Sequence, residues 1–191
     1  MTAESGRALT NQSSSRPALP RPFQFSQSSL ADFDKCPRLF WLRYVEGVEW
    51  PAAAGSPEQD ALLRARQRFH HLLHQYFIGI DVAGIVAREP ADSILREWWD
   101  AFVEHAVGLL PAGDRYPEVA LFAPLAGHRL AARIDLLAAE PGRLVVVDWK
   151  TGRQPPDPEL IRSNWQTAVY TYLAVEAGAL DLGRRPAPDE I

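Results

Sequence analysis

Residues 133–152 read RIDLLAAEPGRLVVVDWKTG, and this stretch decides the fold. Two apolar runs rich in Val, Leu and Ile flank Glu140-Pro141-Gly142, so they read as antiparallel strands joined by a turn. Each carries a carboxylate where burial is costly: Asp135 inside the first strand and Asp148 near the end of the second. Two such cases on neighbouring strands point to one shared cation. Asp148 and Lys150 are two apart and so share a strand face. A register with Asp135 opposite Val146 brings Asp135 to that face too, one diagonal step of roughly 7–8 Å from Asp148. A slip of one residue would send it to the other face.

Working outward, YPEVALFAPL at 116–125 is a third β-like run, joined to HRLAARIDLLAA through Ala126-Gly127, which completes an antiparallel meander. Glu118 begins this strand and can point into the same site; its structural reading is a gatekeeper on an edge strand. Upstream the period is helical. A short helix capped near Ser28 or Ser29 is followed by one with Pro37 in its first turn and an apolar stripe of Phe40, Trp41, Tyr44 and Val45. A long helix over 57–78 has Ser56 as its cap, Pro57 at its first position, Gln59 completing a capping box and Gly79 as its stop. Leu62, Phe69, Leu73 and Phe77 fit its spacing. Another helix over 91–109 carries Ile94, Trp98, Phe102 and Val103 on one side. After the meander, a last helix over 159–178 buries Ile161, Trp165, Val169 and Leu173.

Helices, three strands and a helix make an α/β or α+β core. Residues 183–191 supply no further strand, although a helix after a meander usually returns to the sheet, so a C-terminally truncated domain, or one completed by another chain, is expected. Residues 1–22 are rich in Ser, Ala, Pro and Arg with no aromatic residue, and are expected to be a disordered tail ahead of one domain over 23–191.

Composition narrows the function. The 191 residues carry a net charge of −4, which argues against binding nucleic acid or anionic membrane through global charge, so a phosphate ligand must be gripped locally. Arg38, Arg43, Arg129 and Arg153 are candidates for that grip. Of 20 basic residues only Lys35 and Lys150 are lysines. Lys35 reads as a solvated charge at a helix end. The lone Cys36 allows no internal disulfide and fits a reducing cytoplasm. No apolar run reaches the roughly 18 residues of a membrane span, and no signal-peptide core is present. A cytoplasmic location without membrane partners is expected.

Two carboxylates and a lysine on one sheet face suit metal-assisted phosphodiester hydrolysis. Carboxylates hold Mg2+ with several waters, the metal polarises a phosphoryl oxygen, and an amine orients or deprotonates the attacking water and offsets negative charge. A guanidinium stays protonated, whereas a desolvated lysine can shift its pKa, which is a reason for an arginine-rich chain to keep Lys150. The plainer reading is that Asp148 caps the turn at Thr151-Gly152 and pairs with Lys150 at the surface. Gln166 and Tyr170, four apart, share a helix face that could meet a phosphate or the lysine, or form a polar boundary of a buried helix.

Residues 28–172 resemble the RecB-like branch of the PD-(D/E)XK nuclease superfamily. SSLADFDKCPRLFWLRYV is similar to its N-terminal helical signature, and RFHHLLHQYFIG to its helix bearing a metal-site histidine, which falls on His70. GHRLAARIDLL resembles the strand with the first acidic residue, Asp135; VVVDWKTG supplies Asp148 and Lys150; NWQTAVYTYL matches the Gln-x-x-x-Tyr helix with Gln166 and Tyr170. The resemblance implies a restriction-endonuclease-like fold, with a central mixed sheet flanked by helices, Mg2+ or Mn2+ dependence and DNA as substrate. Several relatives hold an iron–sulfur cluster on four cysteines; one cysteine cannot, so Cys36 is expected to be a small buried hydrophobe. His70 and His74 are i,i+4, but a metalloprotease would need Glu at position 71, where His71 stands; His71 and His74 read as structural.

The expectation is therefore a Mg2+-dependent deoxyribonuclease in DNA repair, recombination or defence, exonuclease or endonuclease, with a helicase or other nuclease-complex subunit as a candidate partner. Asp135, Asp148, His70 and Glu118 would hold metal, Lys150 would act on water and charge, and Gln166, Tyr170 and Arg153 would support the site or bind DNA. The alternatives are a non-catalytic DNA-binding or scaffolding module with the same fold, and a nuclease acting on RNA.

Overall fold

The computed structural model describes residues 19–49, 55–152, 157–182, 187 and 191. Strand β1 (Gln24–Phe25) leads into α1 (Gln27–Lys35) and α2 (Pro37–Phe40), which continues as a π turn over Trp41–Val45. Then come α3 (Pro57–Phe77), α4 (Ala83–Val86) and α5 (Ile94–Ala101), the last prolonged by a π turn (Phe102–Ala106) and a 3-10 turn (Val107–Leu109). The meander β2 (Asp114–Leu125), β3 (His128–Glu140) and β4 (Arg143–Val147) follows, and α6 (Pro158–Ser163) and α7 (Trp165–Leu182) close the order.

The sheet is mixed. β3 lies at its centre, antiparallel to β2 on one side; its other side pairs with β1, parallel, near the start of β3 and with β4, antiparallel, near its end. Buried on both sides along its middle, with Leu136 and Leu137 both nearly inaccessible, β3 needs the almost unbroken apolar run seen in its sequence. Its hairpins obey turn chemistry. Leu125 pairs with His128 around Ala126 and Gly127, both at positive φ, the two-residue loop whose twist matches the strands. Glu140 pairs with Arg143 around Pro141 and Gly142, where Pro sets the first corner and Gly takes φ +80°.

Two apolar clusters hold the structure. One joins the sheet to α7 through Leu121, Leu130, Ile134, Leu144, Val169 and Leu173. The other joins α3, α4 and α5 through Phe69, Leu73, Val86, Leu95, Trp99 and Phe102. Each such side chain, fully buried, contributes roughly 1.5–3 kcal/mol against chain entropy.

The long helix starts and stops as its sequence predicts: Ser56 and Gln59 exchange capping-box hydrogen bonds, Pro57 is the first helical residue, and Gly79 takes φ +84° after the C-cap. Elsewhere the local reading is corrected. The first helix is capped by Ser26, with Ser29 as the reciprocal member of the box, because the side-chain bonds run from Ser26. Ser93 caps α5, so its buried stripe is Leu95, Trp99 and Phe102, and Val103 is exposed. The single helix expected over 159–178 is two, broken where Asn164 is extended; Ile161 stands on the separate α6 and Trp165 is the first residue of α7, and both are partly exposed, at 38% and 39%. Cys36 is exposed rather than buried, because it occupies the extended corner between α1 and α2. Lys35 is a solvated charge in the last turn of α1, as read. Among the described residues no strand follows α7, and no helix is long and apolar enough to cross a membrane. Residues 1–18, most of the expected tail, lie outside the described residues.

Candidate metal centre and active site

β4 ends at Val147, one residue before Asp148, and the pairing of Leu136 with Val147 fixes the register. One step beyond that pair brings Asp135 opposite Asp148, two residues away from the Val146 alignment. A shift of two preserves the face, so the carboxylates stay together, now side by side rather than diagonal. On the other side of β3, Pro117 pairs with Leu136 and Val119 with Ile134, so Glu118 stands opposite Asp135. Glu118 is thus interior to its strand, not at its start. Its backbone is left-handed, at φ +52°, a conformation that costs a non-glycine residue roughly 1–3 kcal/mol. Three carboxylates, on β2, on β3 and just past the end of β4, consequently form a row: Glu118, Asp135, Asp148.

Helix α3 delivers His70 to one end of that row. Nδ1 of His70 lies 3.5 Å from Asp135 Oδ1. His70, Glu118 and Asp135 each offer one ligand atom, all within 4.8 Å of one another. The hydrogen bond to Asp135 leads in raising the imidazole pKa above its ordinary value, and the charges of Asp135, Glu118 and Asp148 add to it against the opposing effect of burial. Because the folded pKa is raised, this pairing stabilises the metal-free fold fully below the unfolded value of 6.5 and fades as pH rises through the folded one.

At the other end, Lys150 Nζ lies 2.5 Å from Asp148 Oδ2 and donates to Gln166 Oε1 at 2.7 Å. Gln166 Nε2 donates to Asp148 Oδ1 at 2.7 Å and to the Tyr170 hydroxyl at 3.1 Å. One carboxamide therefore orients both the acid and the amine, its oxygen toward the cation and its nitrogen toward the anion. Tyr170 in turn donates to the carbonyl of Arg133, at 3.0 Å. Burial leads in raising its pKa, which keeps it a donor. Lys150 is half exposed and held by two partners, and what the geometry offers is a positioned point charge.

The sequence reading missed Trp149. Its backbone N–H donates to Asp135 Oδ2 at 2.8 Å, taking over where the β3–β4 ladder ends. Its indole stacks on Phe77 with ring centroids 6.1 Å apart and meets Phe102 edge-on at 5.4 Å. An aromatic between two polar residues at a strand end was the available signal. Trp149→Ala is expected to cost about 2–4 kcal/mol, measured by denaturant unfolding, because it empties that contact with the helical cluster. Trp149→Phe should keep most of the stability, since the N–H to Asp135 survives either change.

Not every candidate arrives here. Arg43 pairs with Asp32 at 2.6 Å, and the guanidinium of Arg129 lies 3.7 Å above the Phe122 ring, so both are engaged elsewhere. Arg153 lies outside the described residues.

A family model matches residues 24–188, and its description is the PD-(D/E)XK nuclease superfamily. The chain belongs to that superfamily. No curated protein and no solved structure gives a match. The mixed sheet flanked by helices is the restriction-endonuclease-like arrangement that the sequence predicted. In this PD-(D/E)XK chain, the His70, Glu118 and Asp135 group is a donor set suited to a divalent metal: carboxylate oxygens fit Mg2+ and Mn2+, and one neutral imidazole is compatible with Mn2+.

Proposed function

We propose that the chain is a Mg2+-dependent DNA nuclease of the RecB-like branch, acting in DNA repair, recombination or defence. The observation that carries this reading is the carboxylate row Glu118–Asp135–Asp148, with an imidazole at one end and an ammonium at the other. His70, Glu118, Asp135 and Asp148 would hold the ion, which when bound supplies Lewis acidity at a phosphoryl oxygen. The remaining work falls to side chains. Asp148 and Gln166 hold the Lys150 ammonium in place beside the row, where it orients water by donating to it and offsets charge growing on the phosphate. Tyr170 anchors Gln166 to the backbone of β3 and so keeps the amine from drifting.

Purified protein should nick plasmid DNA in Mg2+, stop when the metal is chelated and resume when it is restored, and Asp148→Ala should fall to background. Undiminished cleavage by Asp148→Ala would sink the assignment. A protein that binds DNA but neither cleaves it nor takes up Mn2+ in calorimetric titration would be the non-catalytic module instead. Cleavage confined to RNA would reassign the substrate.

A further inference from the structure

Against the Glu118–His70 end of the row lies a cavity of about 500 Å³. Its walls are Arg66, Gln67, His71 and His74 on α3 and Arg133 on β3, and it opens directly on His70 and Glu118. Apart from Glu118, every one of these side chains can donate a hydrogen bond. Some arginines of this acidic chain are neutralised by carboxylates: Arg43 by Asp32, Arg68 by Glu89 and Arg162 by Glu159. Arg66 has no carboxylate in ion-pair range among the described residues, and Arg133 reaches only Glu118, at 3.7 Å, with its side chain 71% exposed. The cavity at the other end of the row differs. It holds about 450 Å³ beside β4 and α7, and its wall combines Asp148, Lys150, Gln166 and Tyr170 with the apolar Leu144 and Val146.

We infer that the Arg66–Arg133 cavity binds a phosphate of the substrate strand next to the one that is cleaved. This rests on the nuclease reading of the adjoining carboxylates. Two guanidiniums with open donors, an amide and two imidazoles form an anion seat, and planar guanidinium forks suit phosphate oxygens. The shared wall of His70 and Glu118 makes the seat neighbour the metal group, which is where the next phosphate of a bound strand would fall. The seat places one flanking phosphate of the strand over α3, on the opposite side of the centre from the Lys150 cavity. His71 and His74, structural on sequence spacing alone, become hydrogen-bond donors of this seat.

The test is fluorescence anisotropy of a short labelled DNA single strand over a salt series, with Ca2+ in place of Mg2+. Arg66→Ala should bind roughly fivefold more weakly, and the slope of log affinity against log salt should become shallower by about 0.7, the value for one lost contact to a single strand. Arg64→Ala is the control, because Arg64 lines a neighbouring cavity with Arg68, Leu72 and Ile85. A neutral methylphosphonate at the linkage next to the cleaved one should weaken the parent protein more than it weakens Arg66→Ala. An unchanged slope in Arg66→Ala, or an equal change in Arg64→Ala, would overturn the seat. The two readings fail separately: Asp148-dependent cleavage with parental DNA binding by Arg66→Ala removes only the seat. A slope change without cleavage removes only the nuclease.

Discussion

Asp135→Asn is expected to lower phosphodiester hydrolysis by about a thousandfold or more while leaving the fold intact. Asparagine has the shape of aspartate and can still accept the Trp149 N–H, so the end of the β3–β4 ladder keeps its hydrogen bond. What vanishes is the central charge of the row, the one shared between the His70 end and the Lys150 end. Metal-centred charge stabilisation is worth several kcal/mol, and each 1.36 kcal/mol is a factor of about ten in rate. Single-turnover plasmid cleavage in Mg2+ measures the loss, and a circular dichroism spectrum matching the parent shows that the fold survived. NMR titration of the imidazole gives a second reading: with its largest cause removed, the raised pKa of His70 should drop toward the ordinary value. A rate within tenfold of the parent would exclude Asp135 from the metal centre.

Lys150→Ala should cost about a hundredfold or more in rate, the scale for deleting one preorganised donor at a developing oxyanion. Mn2+ binding should not be lost, because the His70, Glu118 and Asp135 group does not contain the lysine and the Asp148 carboxylate is released from its ion pair. Lys150→Arg should recover little. Nζ fits between Asp148 Oδ2 at 2.5 Å and Gln166 Oε1 at 2.7 Å, a slot for a compact ammonium, while a planar guanidinium on a longer stem would overshoot it. Full activity in the arginine variant would mean that bulk positive charge is sufficient and that the Gln166 contact has no bearing on rate.

Much of this was legible in the chain. The meander and its turns followed from apolar β-like runs broken by Ala-Gly and Pro-Gly, and the face shared by the two aspartates survived a wrong register because the error was an even number of residues. Glu118 was readable as a candidate, but not as the partner of Asp135, since a left-handed residue inside a strand leaves no mark in hydropathy. Helix phases went astray where a cap or a break set them: Ser93 rotated the stripe of α5, and Asn164 divided the last helix. Trp149 escaped because its hydrogen bond belongs to the backbone, which every residue carries. The Arg66–Arg133 cavity escaped because α3 and β3 meet only in the folded chain.

The left-handed backbone of Glu118 and the placement of Trp149 together describe a seam. His70 stands on the helix packed into one apolar cluster, whereas Asp135, Gln166 and Tyr170 stand on the sheet and α7 of the other, and the Trp149 indole links the strand end to the helical side. His70 and Asp135 thus belong to different packing units, so the proposed metal group depends on how those units are held against each other and not only on whether each is folded.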